Sequence, residues 1–519
     1  MTAVSAPTRS RPRPGARRPA LAEWRLLRLE LRRSAMLWLI PVAVALFWYD
    51  AYRNAMAAAP LWNVRAMTMQ HGALLDFVPP VVGAAAWMGS REGRRRTTDL
   101  MAIAAKPRWV RQLATWGAVT LWAMLAYLGC VAVMYVMIAR QAAWGGPLWW
   151  PALVGAAGIP AVAAVGFAAG SICPSRFTTP VVTVGTFFAI GLGSEAAHSN
   201  SSIWQLSPPL VGSFDIGPDS GLGTFYRYLP DLSIAQVMFM AGLAVAVIGG
   251  LGLPERSGGR FLRGSAAVLT AVGLLTSGTA IALVGTARLD PRGMLVIPAL
   301  HDAANDRPIR YTPVCGHTAI PVCLNPAYAA YLPVVTAALE PVISEVAGLP
   351  GAPARISQSA PIYAESVGNS VGIGSTGILA LPDQLPSLPI SASGTVAAQF
   401  AAQVRAGTAV GLVASVVPSF VRVDSPVGRE GRSQGILALQ AVRAALLKDA
   451  FVQLSGGGPV PRGGIIATSG LPVPGPAPGT AVYAAARRFA ALPASVRHAW
   501  LVQHLAALRA GHITLAQLP

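Results

Sequence analysis

Long apolar runs fill the first half of this chain and are missing from the second. They recur at about 34–52, 72–89, 113–138, 150–172, 178–195, 232–253 and 266–287, each near the length that crosses a hydrocarbon layer as a helix. Pro41 interrupts the first run, and Asp50 and Arg53 crowd its exit. The fourth and fifth are joined by a few residues around Pro174 and Arg176, which predicts a tight hairpin. Ahead of them, residues 21–34 put Leu21, Trp24, Leu27 and Leu31 on one helical face with charges around it. That pattern fits a helix lying in the membrane surface, or equally an arginine-rich extension of the first span.

Beyond residue 287, Pro, Gly and polar groups break the chain too often for another spanning helix. Segments 327–347, 396–415, 435–454 and 480–511 have helical periodicity. The Val-rich run 408–422 and the glycine-punctuated 361–382 read as strands and turns, and 455–479 as a Gly/Pro-rich linker. Near the end, Trp500, Leu501, His504, Leu505 and Leu508 make one face of a helix packed on a core. The predicted fold class is therefore an α-helical polytopic membrane domain of about seven transmembrane helices, followed by a mixed α/β extracytoplasmic domain.

Composition agrees: mean hydropathy is +0.51 and only 12% of residues are charged. The net charge of +19 raises nucleic acid as a partner, but the charge sits beside apolar spans. Nine arginines lie in the first 34 residues and seven basic residues in 91–111, with no basic face interleaved with aromatics. Nucleic-acid binding is not expected; the lipid bilayer is the partner these clusters face. With the N-terminus in the cytoplasm, inner segments hold twenty basic residues and outer loops four, Arg53, Arg65, Arg140 and Arg227. This bias predicts a multi-pass plasma-membrane protein whose C-terminal domain is extracytoplasmic. The arginine-rich start does not read as a cleaved secretory leader.

Cys315 and Cys323, with seven residues between them, fall in that external tail, where an oxidising environment favours a short structural disulfide. His317 alone stands nearby, so no metal site and no cofactor are expected there. Gly368, Ser370 and Gly372 fit a nucleophile-elbow spacing, with Asp424 and His498 in hydrolase order, but the Val-Gly-Ile-Gly that follows Ser370 is a poor helix start. Asp76 lies within the second run, just before Pro79 and Pro80, which should loosen the helix there. His71, Asp76, Glu195 and His198 all read near outer ends of spans two and five, as an outer gate or as ordinary interfacial groups. Aromatics of the outer loop 196–231 suit the headgroup region or a dock for the tail.

Residues 90–111, Ser-Arg-Glu-Gly-Arg-Arg-Arg-Thr-Thr-Asp-Leu onward, form a compact basic inner loop. Glu92, Thr97, Leu100, Pro107 and Arg108 resemble the corresponding loop of type-2 ABC exporter permeases, with Arg96 standing where that family usually has glycine. The surface helix, six principal spans and a longer loop between spans five and six extend the resemblance over roughly residues 21–255. It implies a loop that seats on a cytoplasmic ABC ATP-binding subunit, with Arg91, Glu92, Arg94, Arg95, Arg96, Thr97, Asp99 and Leu100 as coupling residues. It also implies a second permease copy, as homodimer or heterodimer. The sequence holds no G-x-x-x-x-G-K-[ST], so ATP must be bound elsewhere. The implied organisation is a disordered basic cytoplasmic tail at 1–20 and a six-helix permease-like domain at 21–255. An inner loop with the seventh helix follows at 256–287, then the external domain at 288–519. The segments 311–315 and 322–328, and the closing run from Phe489, are similar to tails of actinobacterial permease-like proteins, in which a histidine often stands where this chain has Asn325. A membrane-anchored sensor or adaptor, or a membrane-anchored serine hydrolase, are the rival functions; a basic loop that only sets topology is the rival reading of 90–111.

Overall fold

The computed structural model describes residues 19–57, 61–95, 106–142, 144–196, 206, 222–254, 259–289, 295–358, 377–381, 394–418, 429–447, 476 and 478–519. Each of the seven apolar runs is a helix. They are α2 (Met36–Ala57), α3 (Trp62–Gly89), α4 (Arg108–Ala139), α5 (Trp150–Ile172), α6 (Thr178–Ala196), α7 (Asp231–Gly252) and α8 (Gly259–Gly285). Ahead of them α1 (Pro19–Arg33) meets α2 at a bend of 57°, so it is no straight extension of the first span. Local chemistry fixes several starts: Pro107 precedes α4, and Pro151 occupies the first turn of α5, where its missing N–H costs nothing.

Among the described residues six helices are long and apolar enough to cross a membrane, or seven if the bent pair ending in α2 is one span. One of the six, Pro326–Val346, belongs to the tail. It is a 3-10 segment, Pro326–Tyr331, followed by only 15 residues of α-helix, α9 (Leu332–Val346). At 1.5 Å per residue that helix is about 22 Å long, short of a hydrocarbon core. Val335, Leu339, Val342, Ile343 and Val346 are instead buried in the tail's own core.

Within the membrane domain the helices approach through small residues. A Cβ at Gly166 would lie 2.5 Å from the Val82 carbonyl oxygen, and one at Gly170 would lie 2.1 Å from that of Ala86. Helix α5 thus lays a Gly-x-x-x-Gly face against α3, the arrangement that gains dispersion contact where lipid supplies no hydrophobic drive. Glycines 242 and 273 bring α7 and α8 together in the same way.

The tail is mixed α/β. Strands β3 (Val314–Cys315), β4 (Val322–Leu324), β5 (Arg355–Gln358) and β6 (Ile378–Leu381) form one sheet in that order, after a small hairpin of β1 (Arg288–Leu289) and β2 (Leu295–Val296). β3 and β4 are antiparallel with Cys315 opposite Cys323, and the two cysteines form the expected disulfide. β4, β5 and β6 run parallel, and α9 makes the first crossover. Helices α10 (Gly394–Val416), α11 (Arg429–Leu447), α12 (Ala481–Ala491) and α13 (Ala494–Arg509) complete the core. The strand reading of 408–422 is corrected: its described part is the end of α10. Thr408, Leu412, Val413 and Val416 are buried at helical spacing, and that burial overrides the β preference of valine. The helix read over 480–511 is two, because Pro493 breaks it. Leu501, Leu505 and Leu508 pack inward as their spacing indicated.

The tail rests on one end of the apolar helices. The Ile309 amide donates to the Phe225 carbonyl at 2.7 Å, and the Tyr311 ring packs against Trp144 and Phe225. Fully buried Asp231, first residue of α7, accepts from the Ile297 amide at 3.0 Å. His301 Nδ1 lies 3.4 Å from the Asp231 carboxylate and Nε2 lies 3.1 Å from that of Asp306. The hydrogen bond with Asp306 raises the His301 pKa above its ordinary value, against a smaller desolvation effect. A raised histidine contributes stability that is fully present below its unfolded pKa of about 6.5 and is lost as pH rises through the folded value. Hydrogen exchange over residues 295–306 is therefore expected to be slower at pH 6 than at pH 8 after correction for intrinsic rate. His301→Gln should abolish that difference; a difference that persists in the variant contradicts this assignment.

Candidate functional site

α3 begins at Trp62, ten residues before its apolar run, and this changes the setting of Asp76. In this helix of 28 residues Asp76 stands at mid-length, about 20 Å from either end. The helix continues through Pro79 and Pro80. Asp76 is 6% exposed, and its Oδ2 has no hydrogen-bond partner among the described residues. A buried ionisable group inside an apolar helix is a functional-site candidate.

The carboxylate lines a groove of about 800 Å³ bounded by α2, α3 and α6, and by the start of α2 at Ala35. Its walls are apolar, with Trp38, Leu39, Leu46, Pro79, Trp87 and Phe187 among them. Across from Asp76, Asp50 also faces the groove, set in a π-helical turn, Trp48–Tyr52, of α2. Such turns are wide, carry weaker hydrogen bonds, and cluster at functional positions. One Asp50 oxygen accepts from Asn54 Nδ2 at 2.8 Å. The two helices meet closely here: a Cβ at Gly72 would lie 2.7 Å from the Ala51 Cα. Two acidic groups, from two helices, thus border one apolar space.

Only part of the expected outer gate falls within the described residues. His71 is half-buried one turn and more above Asp76, and Glu195 lies in the last turn of α6, where the backbone alone is described. His198 lies outside the described residues. Asp50, noted in the sequence only as crowding the exit of the first span, is the second groove-lining carboxylate that the pattern missed. A second carboxylate inside an apolar run was the signal for it.

At the other end of α3, Arg91–Arg94 forms a single helical turn. Arg91 pairs with Glu30 of α1 at 2.9 Å, and Glu92 lies 3.5 Å from Arg111 and 3.6 Å from Arg108 of α4. The Arg94 guanidinium sits 3.4 Å over the Trp87 ring and donates to the Trp87 carbonyl, while Arg95 is exposed. Arg96, Thr97, Asp99 and Leu100 lie outside the described residues. The described part of the loop is thus bound into the protein: it ties α1, α3 and α4 at one point. The Trp122 indole donating to the Leu31 carbonyl at 2.9 Å adds a second tie between α1 and α4.

Of the hydrolase triad, Ser370 and Asp424 lie outside the described residues; His498 Nδ1 is 3.2 Å from the Glu345 carbonyl oxygen. Among the described residues no group of three or more metal-ligating side chains gathers. No family model matches the chain, and neither a curated protein nor a solved structure is similar enough to it to count as a match.

Proposed function

We propose that this chain is the permease subunit of an ABC-type transporter, an exporter, paired with a second permease copy and driven by a separate cytoplasmic ATP-binding subunit. The observation that carries this reading is the joint at the inner end of α3. There Arg91 holds Glu30 of α1, and Glu92 faces Arg108 and Arg111 of α4. A partner pressing on this joint would move the surface helix and the root of α4 together. Helix α3 is also the wall of the groove that bears Asp76, so the displacement travels to the groove along one continuous element. The residues that resemble the coupling loop of type-2 ABC exporters begin at this joint with Glu92 and end with Pro107 and Arg108, where α4 starts. Energy from a second subunit follows from the lack of a phosphate-cradling motif in the sequence.

Glu92→Gln tests the joint by removing charge at nearly constant volume. Part-exposed ion pairs contribute at most about 1 kcal/mol, so yield and elution profile should stay unchanged. ATP hydrolysis by the copurified complex should nevertheless fall several-fold. Undiminished hydrolysis in a well-behaved variant counts against the coupling role.

A further inference from the structure

We propose that the groove between α2, α3 and α6 binds a lipophilic organic cation, with Asp76 as its counter-ion. As the transporter's substrate class this rests on the permease reading; as a binding site it rests on the groove alone.

Electrostatics select the sign of the ligand. Asp76 lines the groove and is 94% buried, and its Oδ2 lacks a hydrogen-bond partner among the described residues. A buried carboxylate with one oxygen left without a donor is costly to keep charged in apolar surroundings, and a nearby cation reduces that cost. The backbone adds to the negative field. Pro79 and Pro80 have no N–H, so the carbonyl oxygens of Leu75 and Asp76 have no intrahelical donor four residues on, and both residues line the groove. Asp50 supplies a second carboxylate, only one oxygen of which is engaged by Asn54. No Lys, Arg or His is among the lining residues.

Size and walls select the ligand's body. About 800 Å³ falls in the range of small-molecule sites and far exceeds an inorganic ion. A hard cation needs some six to eight converging oxygen ligands, and the walls here are mostly apolar. The walls include the aromatic rings of Trp38 and Phe187, which favour a weakly hydrated, delocalised or quaternary centre, whereas the Arg53 guanidinium lies 5.1 Å from the Tyr49 ring centroid and occupies that ring. Trp87 already carries the Arg94 guanidinium on its ring, so it closes the inner end instead of receiving ligand. The occupant is one cationic centre bearing apolar groups.

The test uses the full chain in nanodiscs of zwitterionic lipid, with tetraphenylphosphonium as the probe and tryptophan quenching as the readout. Saturable binding is expected, at least about tenfold tighter than that of uncharged triphenylphosphine oxide, because the charge pair forms in a low-dielectric cleft. Asp76→Asn should lose most of the difference between the two probes, and Asp50→Asn less. The comparison of probes on the unaltered protein needs no variant to fold. Equal binding of both probes would mean an apolar cleft of the kind a lipid chain fills, and would overturn the proposal. Binding of neither would also overturn it, the groove then being closed by lipid or by a second copy. Cation binding in a protein with no ATPase partner would leave this site standing and defeat the permease reading. An ATPase partner without cation binding would do the reverse.

Discussion

Gly170→Val is expected to abolish recovery of folded protein. The α3–α5 contact is built on backbone meeting backbone: a Cβ at Gly170 would stand 2.1 Å from the Ala86 carbonyl oxygen, and one at Gly166 would stand 2.5 Å from that of Val82. Neither neighbour is the movable end of a side chain, so the helices must separate along their length. Overpacking in a deformable core costs about 1–3 kcal/mol; here the opposing atoms cannot rotate away, and the loss falls at or above that range. Separation also exposes α3 where Asp76 sits and opens the groove that α3 walls. The expected result is loss of monodisperse protein in detergent, with Gly166→Ala intermediate. Gly250→Ala is the control, since nothing lies within 4 Å of its added carbon. Equal yields from Gly170→Val and Gly250→Ala would show that α3 and α5 do not pack as described.

The second large effect is in the tail. Glu345 of α9 and Arg497 of α13 are 3% and 4% exposed and form a two-bond pair, Arg497 Nε donating to Glu345 Oε2 at 3.1 Å and Nη2 to Oε1. Arg497 Nη1 also donates to the carbonyls of Ala490 and Leu492, clamping the break between α12 and α13 at Pro493. Arg497→Met removes all of this and takes the guanidinium from a buried carboxylate, which costs about 3–5 kcal/mol. That is a large share of what holds a domain of this size folded. Rapid proteolysis of the tail in the full-length protein is expected, with the membrane helices still protected. Adding Glu345→Leu to Arg497→Met should recover part of the loss, because an apolar pair of similar volume replaces a buried charge that has lost its guanidinium. An unchanged digestion rate in Arg497→Met would contradict the clamp.

The membrane architecture was legible because it is written in one dimension. Runs of apolar residues gave seven helices at nearly their observed bounds, Trp150–Ile172 matching 150–172. What hydropathy missed was the length of α3. Its start, Trp62 to His71, includes Asn63, Arg65, Gln70 and His71, so a hydrophobicity window stopped ten residues short of the helix start. Buried Arg65 is tolerated there because its Nη1 donates to Gln141 Oε1 at 2.8 Å, a partner 76 residues away. Glu30 and Arg91 were likewise invisible as a pair, separated by 61 residues. The Gly166–Gly170 spacing, by contrast, stood in the sequence as a packing signal. In the tail, α10 was misjudged at its end because valine favours strands and only the core behind it decides otherwise. The disulfide was readable from compartment and spacing, and the sheet gives the reason: Cys315 and Cys323 are cross-strand partners.

The central claim, a permease powered by a partner on the face that bears Arg91 and Glu92, is tested most directly by affinity purification of the tagged chain from native membranes in mild detergent, followed by mass spectrometry. The account predicts a stoichiometric ATP-binding-cassette subunit that is lost when residues 91–100 are altered. Recovery of intact, monodisperse chain with no such subunit in several mild detergents would contradict it.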